Sequence, residues 1–301
     1  MSDDPDYRCG DALKPTLRTP PSADQDLTCM LRIGVPGDYR PFAIAQTPLE
    51  DAEDNALWKQ SLQGLDIDLG RALASATGLQ CTFIRTTWPT LSSDLASNRF
   101  DAAAGGLTLT EARRAEGLFL PGYAPFRKTA LVRSPMKSRF PTPADMDEPD
   151  VRVIVNPGGT NEKWVTSHFH RAHVTVVDDN ASIPSRIAAG EGDIMITDAF
   201  EARWYAQNIP GLTVLFDDQA DAALLLDAEK ESERPADAAD DEGTRLASLG
   251  SLSVLSPLEW KAFLISKRSP ALYMRLLSAW RTLEADGTLA QIAMRWLAPQ
   301  R

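Results

Sequence analysis

Residues 197–203, TDAFEAR, carry two carboxyl groups, Asp198 and Glu201, three positions apart, and residues 156–163, NPGGTNEK, set two glycines beside Thr160 and Asn161. If 197–203 opens a helix, its two acids share one helical face. If 156–163 does the same, its backbone N–H groups and small polar side chains suit an anion. A cradle for negative charge opposite a pair of acids outlines a site for a small organic acid. The chemistry open to it is proton transfer, because a carboxyl group kept neutral by desolvation can protonate a poor leaving group. The same D-x-x-E spacing also fits a capping box, in which Glu201 folds back on its own helix start and stays ionised beside the dipole. Spacing alone leaves both readings open. Thr108 and Glu111 pose the same choice, with Thr108 a cap, a ligand contact or both. Gly158-Gly159 before a helix also fits a simple turn. Trp88, ahead of Pro89, and Tyr39, at a strand end, serve equally as walls for a ring or as core.

The elements that must hold these residues follow from the hydrophobic pattern. Residues 31–35 alternate like a strand, and Pro36-Gly37-Asp38-Tyr39 turns the chain at its carboxyl end. A helical pattern runs through Leu65, Ile67, Leu69, Leu73 and Ala76 and stops at Gly78. A strand over 81–84, a helix near 91–97 and a strand of small residues over 100–105 complete a βαβ alternation, which implies a parallel sheet covered by helices. A second set has strands over 151–155, 174–177, 193–196 and 212–215, with helices near 162–170, 183–189 and 199–207. Residues 261–265 then read as a strand. Two amphipathic helices, 270–285 and 288–297, are broken at Gly287; having no sheet of their own to cover, they are expected to return to the first lobe. The predicted fold is α/β and two-lobed. Residues 30–130 plus 257–301 form lobe 1, and 131–217 form lobe 2. Residues 1–29 read as an extended leader, and 218–256 as an acidic, disordered insertion. Ligands of open α/β sheets collect at the carboxyl ends of the strands, so two such lobes would close on a ligand between them.

Composition removes several function classes. The net charge of −11 is concentrated in 217–243, where eleven acids face two cations, a balance of −9 that leaves about −2 elsewhere. No basic field remains for nucleic acid. No run of about eighteen apolar residues occurs, so no membrane span is expected. The first fifteen residues show no basic stretch followed by an apolar one, leaving either a cytoplasmic chain or an exported one whose signal has been removed. Cys9 and Cys29 are either a disulfide pair or free thiols, and Cys81 is left over. His168 and His170 point about 200° apart on a helix, so no metal site is expected there. Neither a GxSxG nor a Walker string is present.

Five segments together resemble the type II periplasmic solute-binding proteins, in particular the amino-acid-binding family: GDYRPF (37–42), GLDIDLGRALA (64–74), FDAAAGGLTLTEARR (100–114), LPGYAPFRKTALV (120–132) and GDIMITDAFEAR (192–203). Within that superfamily NPGGTNEKW, TDAFEAR and TTWPTL (86–91) are more similar to the cyclohexadienyl dehydratases, exported enzymes that turn prephenate or arogenate into phenylpyruvate or phenylalanine. The resemblance implies a two-lobed type II fold with a ligand cleft, no cofactor and a small-molecule substrate. It implies Arg113 as the partner of a ligand carboxylate and Asp198 as the holder of an α-ammonium. Glu201 is implied as general acid and Lys128 as the active-site lysine, with Asn156, Gly159, Thr160 and Asn161 in the anion loop. Thr108, Trp88 and Tyr39 complete the expected set. Arg127 departs from the pattern, since an extra cation beside Lys128 would alter selectivity. The competing expectation is a non-catalytic receptor for an amino acid or small keto acid. Oligomeric state is left open, a homo-oligomer included.

Overall fold

The computed structural model describes residues 30–46, 56–217 and 254–298. The leader, Cys9 and Cys29, and most of the acidic insertion lie outside the described residues. Strand Met30–Val35 pairs in parallel with Gln80–Arg85 on one side and Ala102–Ala103 on the other. The sheet continues through Leu264–Ser266 to Gly117–Phe119, both junctions antiparallel. Leu31, Ile33 and Val35 are fully buried because helices cover the strand.

Helices Pro270–Ala285 and Thr288–Leu297 do return to this lobe. Leu272, Leu276, Trp280, Leu283 and Ile292 share one apolar core with Leu65, Ile67, Leu69 and Leu73 of helix Leu65–Ala76. The i, i+4, i+8 spacing of 272, 276 and 280 makes the buried stripe.

The second sheet runs His173–Val176, Arg152–Val155, Ile194–Asp198, Lys128–Arg133, Leu212–Leu215. Its first three strands are parallel, and Lys128–Arg133 is antiparallel to both its neighbours. This mixed pattern arises because the chain enters the lobe through Lys128–Arg133 directly from the other one.

Two crossings join the lobes, and they pair with each other: Ala124–Phe126 lies antiparallel to Glu259–Lys261. The Lys128 amide donates to Ser256 Oγ at 2.9 Å, and Arg127 Nη1 donates to the Ser256 carbonyl at 3.1 Å. The strand expected over 261–265 is thus two short ones. Glu259–Lys261 pairs with the crossing, the chain turns at Ala262-Phe263, and Leu264–Ser266 enters the lobe 1 sheet. Arg127 is drawn to this hinge and does not add a cation to the cleft, contrary to the expectation from its place beside Lys128.

The lobes meet closely. Gly158 has φ +78°, and a Cβ there would sit 2.6 Å from the nitrogen of Pro89 on the opposite lobe. Phe42 and Phe200 meet edge to face, ring centroids 6.0 Å apart. Asn180 Nδ2 donates to the Asp38 carbonyl at 3.3 Å.

Candidate functional site

Strand ends and helix starts converge on the cleft. Asp198 ends strand Ile194–Asp198 in extended backbone, with φ −80° and ψ 148°, so it precedes the helix and does not share a helical face with Glu201. Its side chain makes no cap bond. It turns into the cleft, where the Lys261 ammonium and the Tyr39 hydroxyl both donate to Oδ2, and Lys128 Nζ lies 3.4 Å from Oδ1. Burial works to raise this carboxyl, but the two lysines outweigh it and hold it below the usual carboxylate range. The expected holder of an α-ammonium, Asp198, is therefore a carboxylate whose charge is already matched from within.

Glu201, in the first turn of helix Ala199–Asn208, has no exposed surface. Its two oxygens accept from Thr197 Oγ1 and, at 2.9 Å, from Asn180 Nδ2. Neither donor is on the Glu201 helix, so the side chain is not a capping group. No cation pairs with it among the described residues. Burial, with the charge of Asp198 adding to it, pushes its carboxyl up to about 8 against the opposing Thr197 bond.

The anion loop forms as its glycines require. The left-handed Gly158 and the N-cap Gly159 start helix Thr160–His168, two residues earlier than the apolar pattern indicated. Glu162 folds back to accept from the Gly158 amide at 2.7 Å, which fixes that early start. Lys128 Nζ reaches Thr160 Oγ1 at 3.2 Å and Asn161 Oδ1 at 2.9 Å. Asn161 Nδ2 in turn donates to Thr197 Oγ1 at 3.3 Å. One continuous network therefore links Lys128, Asn161, Thr197 and Glu201. The amide of Asn156 makes no hydrogen bond among the described residues, although it is buried at the edge of the cavity.

From lobe 1 come Tyr39, Trp88, Thr108 and Arg113. Thr110 caps helix Glu111–Glu116 by accepting from the Arg113 amide, so Thr108 is not the cap. Thr108 instead accepts from Lys261 Nζ at 3.2 Å and lies 3.5 Å from Thr160 across the cleft. Arg113 Nη1 donates to the Thr108 carbonyl at 2.9 Å, which aims the guanidinium inward. Trp88 donates to Asp38 Oδ1 at 3.0 Å and packs edge-on against Tyr39.

The inter-lobe cavity is lined by Tyr39, Trp88, Thr108, Arg113, Asp198 and Lys261 together with Gly106, Asn156, Gly159, Thr160 and Asn161. It keeps about 20 Å³ free, room for roughly one water. Glu201 and Lys128, implied as general acid and active-site lysine, are not on its wall. Each lies behind the wall, Glu201 bonded to Thr197, which is itself behind Asn161, and Lys128 behind Thr160, Asn161 and Asp198. A larger depression of about 690 Å³ beside strand Leu212–Leu215 holds none of these residues, and size does not mark the site.

Sequence reasoning missed four participants. Lys261 is 1% exposed and central, yet in the sequence it is only the first residue of the strand expected over 261–265. Thr197 and Asn180 hold Glu201 only because the fold brings 180 to 201. Asp66 stands in the segment GLDIDLGRALA without an assigned role. In the structure it is fully buried, bonds Tyr123, and accepts from the amides of Gly105 and Gly106 at 2.6 and 2.8 Å. That fixes the loop carrying Thr108. His168 stacks on Trp164, ring centroids 4.2 Å apart, and its ring bonds the Trp164 carbonyl.

The arrangement matches known proteins. The family described as bacterial extracellular solute-binding proteins, family 3, matches residues 31–299. Cyclohexadienyl dehydratase of Pseudomonas aeruginosa is 32% identical over 212 residues, 69% of this chain and 75% of that one. The histidine-binding periplasmic protein of Salmonella typhimurium is 29% identical over 175 residues, 57% of this chain and 62% of its own. Among solved structures, an ancestral amino acid-binding protein described as a precursor of cyclohexadienyl dehydratase has the same fold. Its TM-score is 0.68 at 24% identity, over 91% of this chain and 98% of its own. The chain therefore belongs to family 3 of the bacterial extracellular solute-binding proteins, as a two-lobed α/β member homologous to cyclohexadienyl dehydratase.

Proposed function

We propose that this protein is a cyclohexadienyl dehydratase, acting on prephenate, arogenate or both. The observation that carries the reading is Glu201: a fully buried carboxyl, pushed up to about 8, bonded by neutral donors and tied by Thr197 and Asn161 to a lysine. A receptor for an amino acid has no use for a second buried acid behind Asp198. The 32% identity to the Pseudomonas aeruginosa enzyme points the same way.

In this reading Arg113 takes the side-chain carboxylate of the substrate, far from the breaking bonds, and sets its orientation. Asn156, Thr160, Asn161 and the amide of Gly159 hold the ring carboxylate, with Lys128 behind Thr160 and Asn161 supplying the positive charge. Trp88 and Tyr39 flank the ring. Thr197 lies behind the wall of the closed cavity, so the transfer belongs to the cleft as widened by the substrate; there Glu201, protonated, donates to Thr197, whose own hydroxyl proton is free to turn to the substrate. The proton passes from Glu201 through Thr197 to the ring hydroxyl, and the C–O bond breaks with release of water. The electron pair of the bond to the ring carboxylate moves into the ring, carbon dioxide leaves, and the ring becomes aromatic. Glu201 remains as a carboxylate and regains a proton from solvent when the lobes part. The grip on the ring carboxylate must stay moderate, because its charge disappears in the transition state. Entry of any such substrate requires the nearly filled cleft to open.

The second reading, a receptor for an amino acid or keto acid, is supported by relatives such as the histidine-binding protein. Incubation of purified protein with prephenate and with arogenate, following phenylpyruvate and phenylalanine, separates the two. Turnover of at least one is expected. Tight amino-acid binding with turnover of neither would leave the receptor.

A further inference from the structure

Asp198 and Lys261 face each other across the cleft, Asp198 at a strand end of lobe 2 and Lys261 on the crossing strand that returns to lobe 1. Both line the cavity with Arg113 and Thr108. Lys261 is 1% exposed, and its ammonium is surrounded by aromatic faces, 4.1 Å from the ring centroid of Phe126 and 5.1 Å from that of Tyr39. Such faces stabilise a desolvated cation. An ammonium has three donors. Two are directed to Asp198 and Thr108, which leaves one for a ligand. Asp198, for its part, already takes Lys261, Tyr39 and Lys128.

We propose that Lys261 determines substrate choice, favouring an α-keto acid over the matching α-amino acid by holding Asp198 where the α-substituent lies. The proposal rests on the reading that Arg113 takes the α-carboxylate. With the carboxylate there, the neighbouring substituent faces the Asp198–Lys261 pair. A keto oxygen accepts the remaining Lys261 N–H. An α-ammonium meets a carboxylate with no charge to give and two cations beside it, and like-charge contact is how a site rejects a near-isostere. Glu259, whose carboxyl lies 3.9 Å from Lys128, is not on the cavity wall and does not restore a receptor for the ammonium.

The test is calorimetric titration of the full-length protein with phenylpyruvate and with phenylalanine, which needs no turnover. Wild type is expected to bind phenylpyruvate more tightly. Lys261→Met keeps the side-chain length and removes the charge; it should move the ratio of the two affinities at least about tenfold towards phenylalanine. Lys261→Arg should keep the wild-type preference. A folded Lys261→Met protein, by circular dichroism and melting, whose two affinities change equally would overturn the proposal. So would a wild-type protein that prefers phenylalanine, a result independent of any variant's folding. Absence of turnover with both prephenate and arogenate would defeat the enzymatic reading alone, because the binding preference would still be read.

Discussion

Asp198 and Glu201 are three residues apart and equally buried, yet their surroundings give them opposite charge states. Around Asp198 two lysine ammonium groups and a phenol converge, and the carboxyl is held below its usual range. Around Glu201, among the described residues, only a threonine and an asparagine are within hydrogen-bond reach, and burial pushes the carboxyl up to about 8. Burial acts in the same direction on both acids; counter-ions decide the outcome. The wall of the cleft is built to hold charge, and the layer behind it to hold a proton.

The contrast can be broken at either acid. Glu201→Gln keeps the shape and both hydrogen bonds but carries no transferable proton, so kcat should fall about 10²–10⁴-fold with little change in substrate affinity. Steady-state kinetics with prephenate and arogenate would show this, and an unchanged kcat would assign Glu201 a structural role. Asp198→Asn leaves two buried ammonium groups facing a neutral amide, and breaking a buried pair costs about 3–5 kcal/mol. Urea unfolding should show that loss for Asp198→Asn at pH 6 and almost none for Glu201→Gln.

A third expectation separates the acids by pH. Glu201 titrates near 4.5 when unfolded and near 8 when folded, so between those values the folded state holds a proton that the unfolded one has lost. Its effect on unfolding free energy is therefore a decline as pH rises from about 4.5 to about 8. Asp38, pushed up to about 6, adds to the acidic part of that decline. Asp198 acts oppositely, and only below its ordinary range. Urea midpoints taken from pH 5 to 8 should fall in wild type and fall less in Glu201→Gln. The smallest effect concerns closure. Gly158→Ala puts a methyl into the Pro89 backbone and strains a left-handed residue by roughly 1–2 kcal/mol. Catalytic efficiency should drop about tenfold, with a more open average shape in small-angle scattering.

Much of the scaffold is legible in the sequence because it rests on local periodicity. Helices Ile183–Ala189, Pro270–Ala285 and Thr288–Leu297 end where glycine or proline says they should. The strands are less visible, since Lys128–Arg133 and Glu259–Lys261 owe their existence to partners far along the chain. The same holds in the site. Arg113, Thr160 and Asn161 stand inside motifs that announce them. Lys261 becomes meaningful only where a crossing strand meets Asp198, 63 positions away. Nor could spacing decide between cap and acid for Glu201, because that choice depends on Asn180, which no local pattern joins to it.

General-acid catalysis in this cleft requires a protonated Glu201 at neutral pH, and infrared difference spectroscopy of wild type minus Glu201→Gln reads that group alone. A protonated carboxyl band that persists through pH 7 and disappears with a midpoint near 8 is the expected result. A band lost near 4.5, the ordinary value for glutamate, would contradict it.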